Sequence, residues 1–165
     1  MNNFFYILNL LVLSFLGIGF ITRFQGVLAS LAGIVIVLLI PDEIKTWILV
    51  FLIVVFLLFF AFTDNTIVDK IGKDKLVFGR VLGIWLSALS PFILFTWEWA
   101  LICLVIYYIY YDILKRSVIA RQRCKNEKCE FLKQDIVTGI LTLLTLQIIY
   151  SGAMLLPFVI MYLKK

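Results

Sequence analysis

Six stretches of the chain, near residues 4–22, 27–40, 47–63, 81–97, 99–111 and 136–163, contain no Asp, Glu, Lys or Arg. That single feature excludes a water-soluble packing solution. Of the 165 residues 64% are hydrophobic and 15% are charged. A soluble domain sits nearer half apolar and about a quarter charged. Lipid is therefore the solvent that suits this chain. The expected fold is all-α: a polytopic helical membrane protein with about five or six apolar helical segments, forming a single membrane domain over residues 1–165.

A simple spanning helix needs about 20 apolar residues. The second and fifth runs are shorter, which predicts tilted or re-entrant helices, or helices continuing into polar loops. The last run suits a span with a bend near Gly152 and Pro157. Met1-Asn2-Asn3 gives no basic region and no cleavage site follows, so the first run is expected to persist as a helix.

Charge sets the expected orientation. Arg23 lies after the first run. Lys70, Lys73, Lys75 and Arg80 lie after the third. Lys115, Arg116, Arg121, Arg123, Lys125, Lys128 and Lys133 lie after the fifth. If 81–111 is a hairpin turning near Trp97-Glu98-Trp99, these loops share one side and hold twelve of the 15 basic residues. The positive-inside rule then makes them cytoplasmic and puts the N-terminus outside. One long tilted helix over 81–111, interrupted at Pro91, is the alternative. The basic residues flank apolar spans, so an anionic lipid surface, rather than nucleic acid, is the expected partner.

The chain has no histidine, which removes His-based acid–base catalysis and His metal ligands. Cys103 lies in an apolar run. Cys124 and Cys129, with no second pair, read as reduced thiols before they read as a zinc site. Gly79 and Gly83, and Ala29 and Gly33, are spaced for close helix packing.

Three segments are expected to converge on the cytoplasmic face: residues 17–32, residues 76–85, and the two ends of the 112–135 loop. Asp112 and Asp135 each sit where an apolar run meets that loop. Facing each other, the carboxylates suit a shared divalent cation beside a phosphate. Otherwise Asp135 caps the last helix and Asp112 pairs with Lys115 or Arg116. Arg80, Lys115 and Arg116 suit a headgroup phosphate, although ordinary topology also explains them.

At these residues the chain resembles the phosphatidylglycerophosphatase A family over about residues 17–150. The first motif, Gly-x-Gly followed by Pro-Gly-Thr and Gly-Ser-Leu, keeps Gly17, Gly19, Gly26, Ser30 and Leu31. The second, Ile-Val-Trp-Asp-Glu-x-x-Gly-x-Trp, keeps Val77, Gly83 and Trp85. The third, Phe-Asp-Ile-Leu-Lys-Pro, is similar to Tyr111 through Lys115. The fourth, Asp-Asp-Ile-Val-Ala-Gly, keeps Asp135, Ile136, Val137 and Gly139. Gly79-Arg80 stand where the second motif has Asp-Glu, and Gln134 replaces the first Asp of the fourth.

The resemblance implies a magnesium-dependent hydrolase of the bacterial inner (cytoplasmic) membrane that converts phosphatidylglycerophosphate to phosphatidylglycerol. Asp112 and Asp135 would be its catalytic metal ligands, with Arg80, Lys115 and Arg116 on the phosphate. Asp64, Asp69 or Asp74 folding inward would replace the missing acids. A second reading is an inactive relative that binds anionic lipid or a membrane partner. A third is a small transport or channel component. The polar residues within the spans are little more than Asn9, Ser87, Thr142, Thr145 and Gln147, a thin pathway.

Overall fold

The computed structural model describes residues 3–20, 24–63, 77–89, 96–116 and 127–163, and for 3–6, 115–116, 127–131 and 156–163 the backbone alone. Among the described residues there are six α-helices and no strand: α1 (Asn3–Leu13), α2 (Gln25–Leu39), α3 (Asp42–Phe62), α4 (Phe78–Ser87), α5 (Trp97–Arg116) and α6 (Glu127–Leu163). A single 3-10 turn, Ile18–Phe20, lies between α1 and α2. Three segments are long and apolar enough to cross a membrane: Asp42–Phe62, Trp97–Leu114 and Leu132–Leu155. The protein is thus an all-helical membrane protein, as the uncharged runs predict.

The centre of the bundle is its shortest helix. α4 has 10 residues, half the length of a span, and all but Arg80 and Leu86 are buried. Its neighbours fix its direction. Gly79 and Gly83 meet Asp135 and Gly139 in the same order, so α4 and α6 run parallel. Gly26 faces Arg80 and Gly33 faces Trp85, so α2 is parallel as well. Arg80 reaches Tyr111 and Ser87 reaches Cys103, so α5 is antiparallel. Phe60 and Phe56 stack on Phe78, and Phe56 meets the edge of Trp85, which makes α3 antiparallel.

Small residues permit this crowding, as expected from their spacing. A Cβ on Gly139 would strike the backbone of Gly83, with its nearest atom, the carbonyl oxygen, at 2.5 Å. Ala29 is fully buried, and a Cβ on Gly33 would meet Val81 at 3.4 Å. The Trp85 indole, also buried, donates to the Gly33 carbonyl at 3.2 Å.

Several expectations need correction. The first run is not one span. α1 has 11 residues, and three successive positive φ angles at Phe15 (47°), Leu16 (58°) and Gly17 (87°) reverse the chain. Only Gly17 adopts that region without steric strain. Ser14 holds the reversal, donating to Leu10 O and accepting from the Gly17 amide. Asn9 bonds Thr63 at the end of α3, whereas Phe15 packs on Trp85. The early part of α1 therefore lies at the bundle end that carries Arg80, and the turn returns Gly26 to that same end. An N-terminus opposite the first loop does not fit this path.

The hairpin over 81–111 also turns earlier than expected. α4 ends at Ser87, and Trp97-Glu98-Trp99 form the first turn of α5, which excludes one continuous helix. Both described ends of the 112–135 loop are helical, because α5 extends to Arg116 and α6 begins at Glu127. Asp135 consequently lies well inside α6 and does not cap it. α6 continues past Gly152 and Pro157 to Leu163. At the other bundle end Lys45 pairs with Asp42 one turn away, in the first turns of α3. Arg23, residues 64–76, Pro91, Arg121, Arg123, Cys124 and Lys125 lie outside the described residues.

Candidate functional site

One face of the first turn of α4 builds a polar cluster. Glycine is the reason it forms. Position 26 has no side chain, and the Arg80 guanidinium lies where a Gly26 Cβ would be. The other flank of the guanidinium is the Tyr111 ring, whose centroid is 5.1 Å from the Arg80 Cζ. Arg80 also donates a long hydrogen bond, 3.4 Å, to the Tyr111 hydroxyl. Arg80 thus has a glycine backbone and an aromatic face as neighbours, an arrangement that suits a planar, weakly hydrated cation.

Asp135 occupies the next position along α4. It is 2% exposed. Its Oδ1 accepts from the Tyr107 hydroxyl at 3.0 Å, and Tyr107 is itself fully buried. Its Oδ2 lies against Gly79, where any side chain would collide with it. The Asp135 backbone oxygen in turn packs on Gly83. Among the described residues Arg80 and Asp135 make no direct ion pair, yet they are near enough to interact electrostatically. A lone carboxylate in an apolar bundle is costly, so a nearby cation and a phenolic donor both stabilise it.

Around this pair runs a hydrogen-bonded rim. The Ser30 hydroxyl donates to the Gly26 carbonyl at 2.9 Å, which leaves the Tyr108 hydroxyl to donate to Ser30 Oγ at 3.1 Å. Gln134 donates to the Tyr111 carbonyl at 3.3 Å and so ties α6 to the end of α5. Gly26, Ser30, Arg80, Tyr111, Gln134 and Asp135 come from all four motif segments singled out in the sequence. The two motif glycines Gly83 and Gly139 are in backbone contact below them.

The other expected residues are more scattered. Asp112 is exposed on α5, and among the described residues it makes no hydrogen bond or ion pair. The side chains of Lys115 and Arg116 lie outside the described residues, as does that of Cys129. Gly17 and Gly19 shape the chain reversal, and Trp85 packs deeper on α4; none of the three touches the cluster. Cys103 is a buried free thiol bonded to Ser87. Among the described residues no group of three or more His, Cys, Asp or Glu side chains stands ready to hold a metal ion.

Sequence reasoning missed Tyr107 and Tyr108. The available signal was the run Tyr107-Tyr108-Ile109-Tyr110-Tyr111, four phenols in one turn of an apolar helix. Hydroxyls at that depth need partners, and here three of them find Asp135, Ser30 and Arg80. The fourth, Tyr110, bonds Thr145 on α6 at 2.8 Å.

A family model described as phosphatidylglycerophosphatase A matches residues 11–150. No curated protein matches the chain, and no solved structure does.

Proposed function

Because the chain belongs to the phosphatidylglycerophosphatase A family, we propose that it acts in bacterial glycerophospholipid metabolism, engaging phosphatidylglycerophosphate at the cytoplasmic face of the inner membrane and converting it to phosphatidylglycerol. The observation that carries this reading is the meeting of all four motif segments around Arg80 and Asp135 at one end of the bundle. Arg80 binds the terminal phosphate there. Lys115 and Arg116, in the last turn of α5, add positive charge, and Asp112 lies one turn before Arg116. The basic end attracts anionic lipid and orients its headgroup towards the cluster.

Magnesium is the ion the resemblance implies, and the donor set does not fit it. Magnesium takes one or two carboxylates in a regular octahedron. Asp135 has one oxygen bonded to Tyr107 and the other against Gly79, while Asp112 is exposed elsewhere. The Arg80 charge also opposes a dication. No step is therefore routed through the ion.

The same observation favours a second reading, a relative that binds the lipid phosphate without hydrolysing it. Purified protein in detergent, given phosphatidylglycerophosphate, decides between the two. The leading reading expects release of inorganic phosphate that falls sharply in Asp135→Asn. No release, while an intact family enzyme is active in the same assay, would leave binding as the function.

A further inference from the structure

We infer that the Arg80 guanidinium replaces the divalent cation in this chain, so that the site takes a phosphomonoester dianion directly and without metal. The inference rests on the reading that a lipid phosphate is the ligand, and it adds the chemistry by which that phosphate is held.

Three observations carry it. Arg80 is packed against Gly26 and lies over the Tyr111 ring, so its side chain is placed before any ligand arrives. Its hydrogen bond to Tyr111 uses one of five guanidinium N–H groups. A fork of that kind matches two oxygens of a phosphate. Asp135, the acid that would otherwise compete for the fork, is held by Tyr107 and makes no direct ion pair with Arg80 among the described residues. The geometry therefore separates the two charges and leaves the cation half-buried at the polar end of α4.

A substitution at Gly26 tests the cradle without touching a charge. Gly26→Ala would place a methyl group where the guanidinium lies and evict it. Arg80→Met removes the charge and keeps most of the side-chain length. Arg80→Lys keeps the charge and removes the fork.

The experiment measures binding of dioctanoyl phosphatidic acid, a short phosphomonoester lipid, to the full chain in detergent, by thermal shift and calorimetry. Each titration is run in EDTA and in magnesium, with dioctanoyl phosphatidylcholine and inorganic phosphate as the other ligands. The expected result is phosphatidic acid binding of equal strength in EDTA and in magnesium, with no response to the choline lipid. Arg80→Met and Gly26→Ala should each weaken it about tenfold or more, and Arg80→Lys less. Binding that appears only with magnesium would overturn the inference and leave the lipid reading standing. Metal-independent binding of inorganic phosphate as tight as that of the lipid would support the inference and undo the lipid reading. Unchanged binding in both Arg80→Met and Gly26→Ala would overturn the role of Arg80. No phosphatidic acid or phosphate binding in any condition would remove both. The metal comparison uses the unaltered chain, so it stands even if a variant does not fold.

Discussion

The two ends of α4 solve opposite problems within 10 residues. At Gly79, Arg80 and Gly83 the helix is in contact with polar groups on three other helices, and glycines remove every side chain that would keep them apart. At Trp85 its neighbours are apolar rings and the Gly33 backbone, and beside them the packing is looser. An apolar hollow of about 240 Å³ opens between Leu11, Val12, Phe15, Leu16, Ile36, Leu52, Phe56 and Trp85. Lipid tails are as apolar as the residues that line such a gap, so a gap facing them costs little. A polar group has no such substitute in hydrocarbon and must be met by protein. The polar end is therefore tight because it has to be, and the apolar end is slack because it can be.

Four substitutions would break or sharpen this contrast. Gly139→Leu should have the largest effect, about 3 kcal/mol or total loss of the folded protein, because the new side chain enters the Gly83 backbone. Thermal unfolding in detergent checks it, and a normal melt would mean that α4 and α6 are not in backbone contact. Tyr107→Phe leaves Asp135 without its donor and should cost about 2 kcal/mol on the same measurement.

At the other end Phe56→Ala removes two aromatic contacts, with Phe78 and Trp85, and should cost about 1 kcal/mol. Its binding of phosphatidic acid should match that of the unaltered chain; weakened binding would show that the two ends are coupled. The smallest effect is expected from Ser30→Ala. It breaks the link between Tyr108 and Gly26, at the rim of the cluster, and should cost about 0.5 kcal/mol.

Much of this contrast was legible in the sequence, but unevenly. The uncharged runs gave the helical membrane class, and the spacing of Gly79 and Gly83 pointed to close helix packing, which α4 makes with α6. The four motif segments do meet, and Asp135 and Arg80 are both there. What the residues could not show was depth. A run of 19 uncharged residues, 4–22, reads as a span, yet backbone angles at Phe15, Leu16 and Gly17 fold it back. Asp112 and Asp135 look equivalent as acids at the ends of apolar runs. One is exposed and the other buried, because α6 begins at Glu127 and carries Asp135 down beside α4. The tyrosines went unread because apolar periodicity treats a phenol as a hydrophobe, whereas its hydroxyl has to find a partner.

The contact between Gly79 and Asp135 also says something about ancestry. The family motif has an acid at position 79, and here the Asp135 carboxylate lies where its side chain would go. Restoring that acid alone would press two carboxylates together, a steric and an electrostatic conflict at once. In the present arrangement an acid at position 79 requires Asp135 to move aside. At position 80 an acid would find room above Gly26, but it would take from Asp135 the cation that stabilises it. Neither acid of the second motif can therefore return without consequence for Asp135.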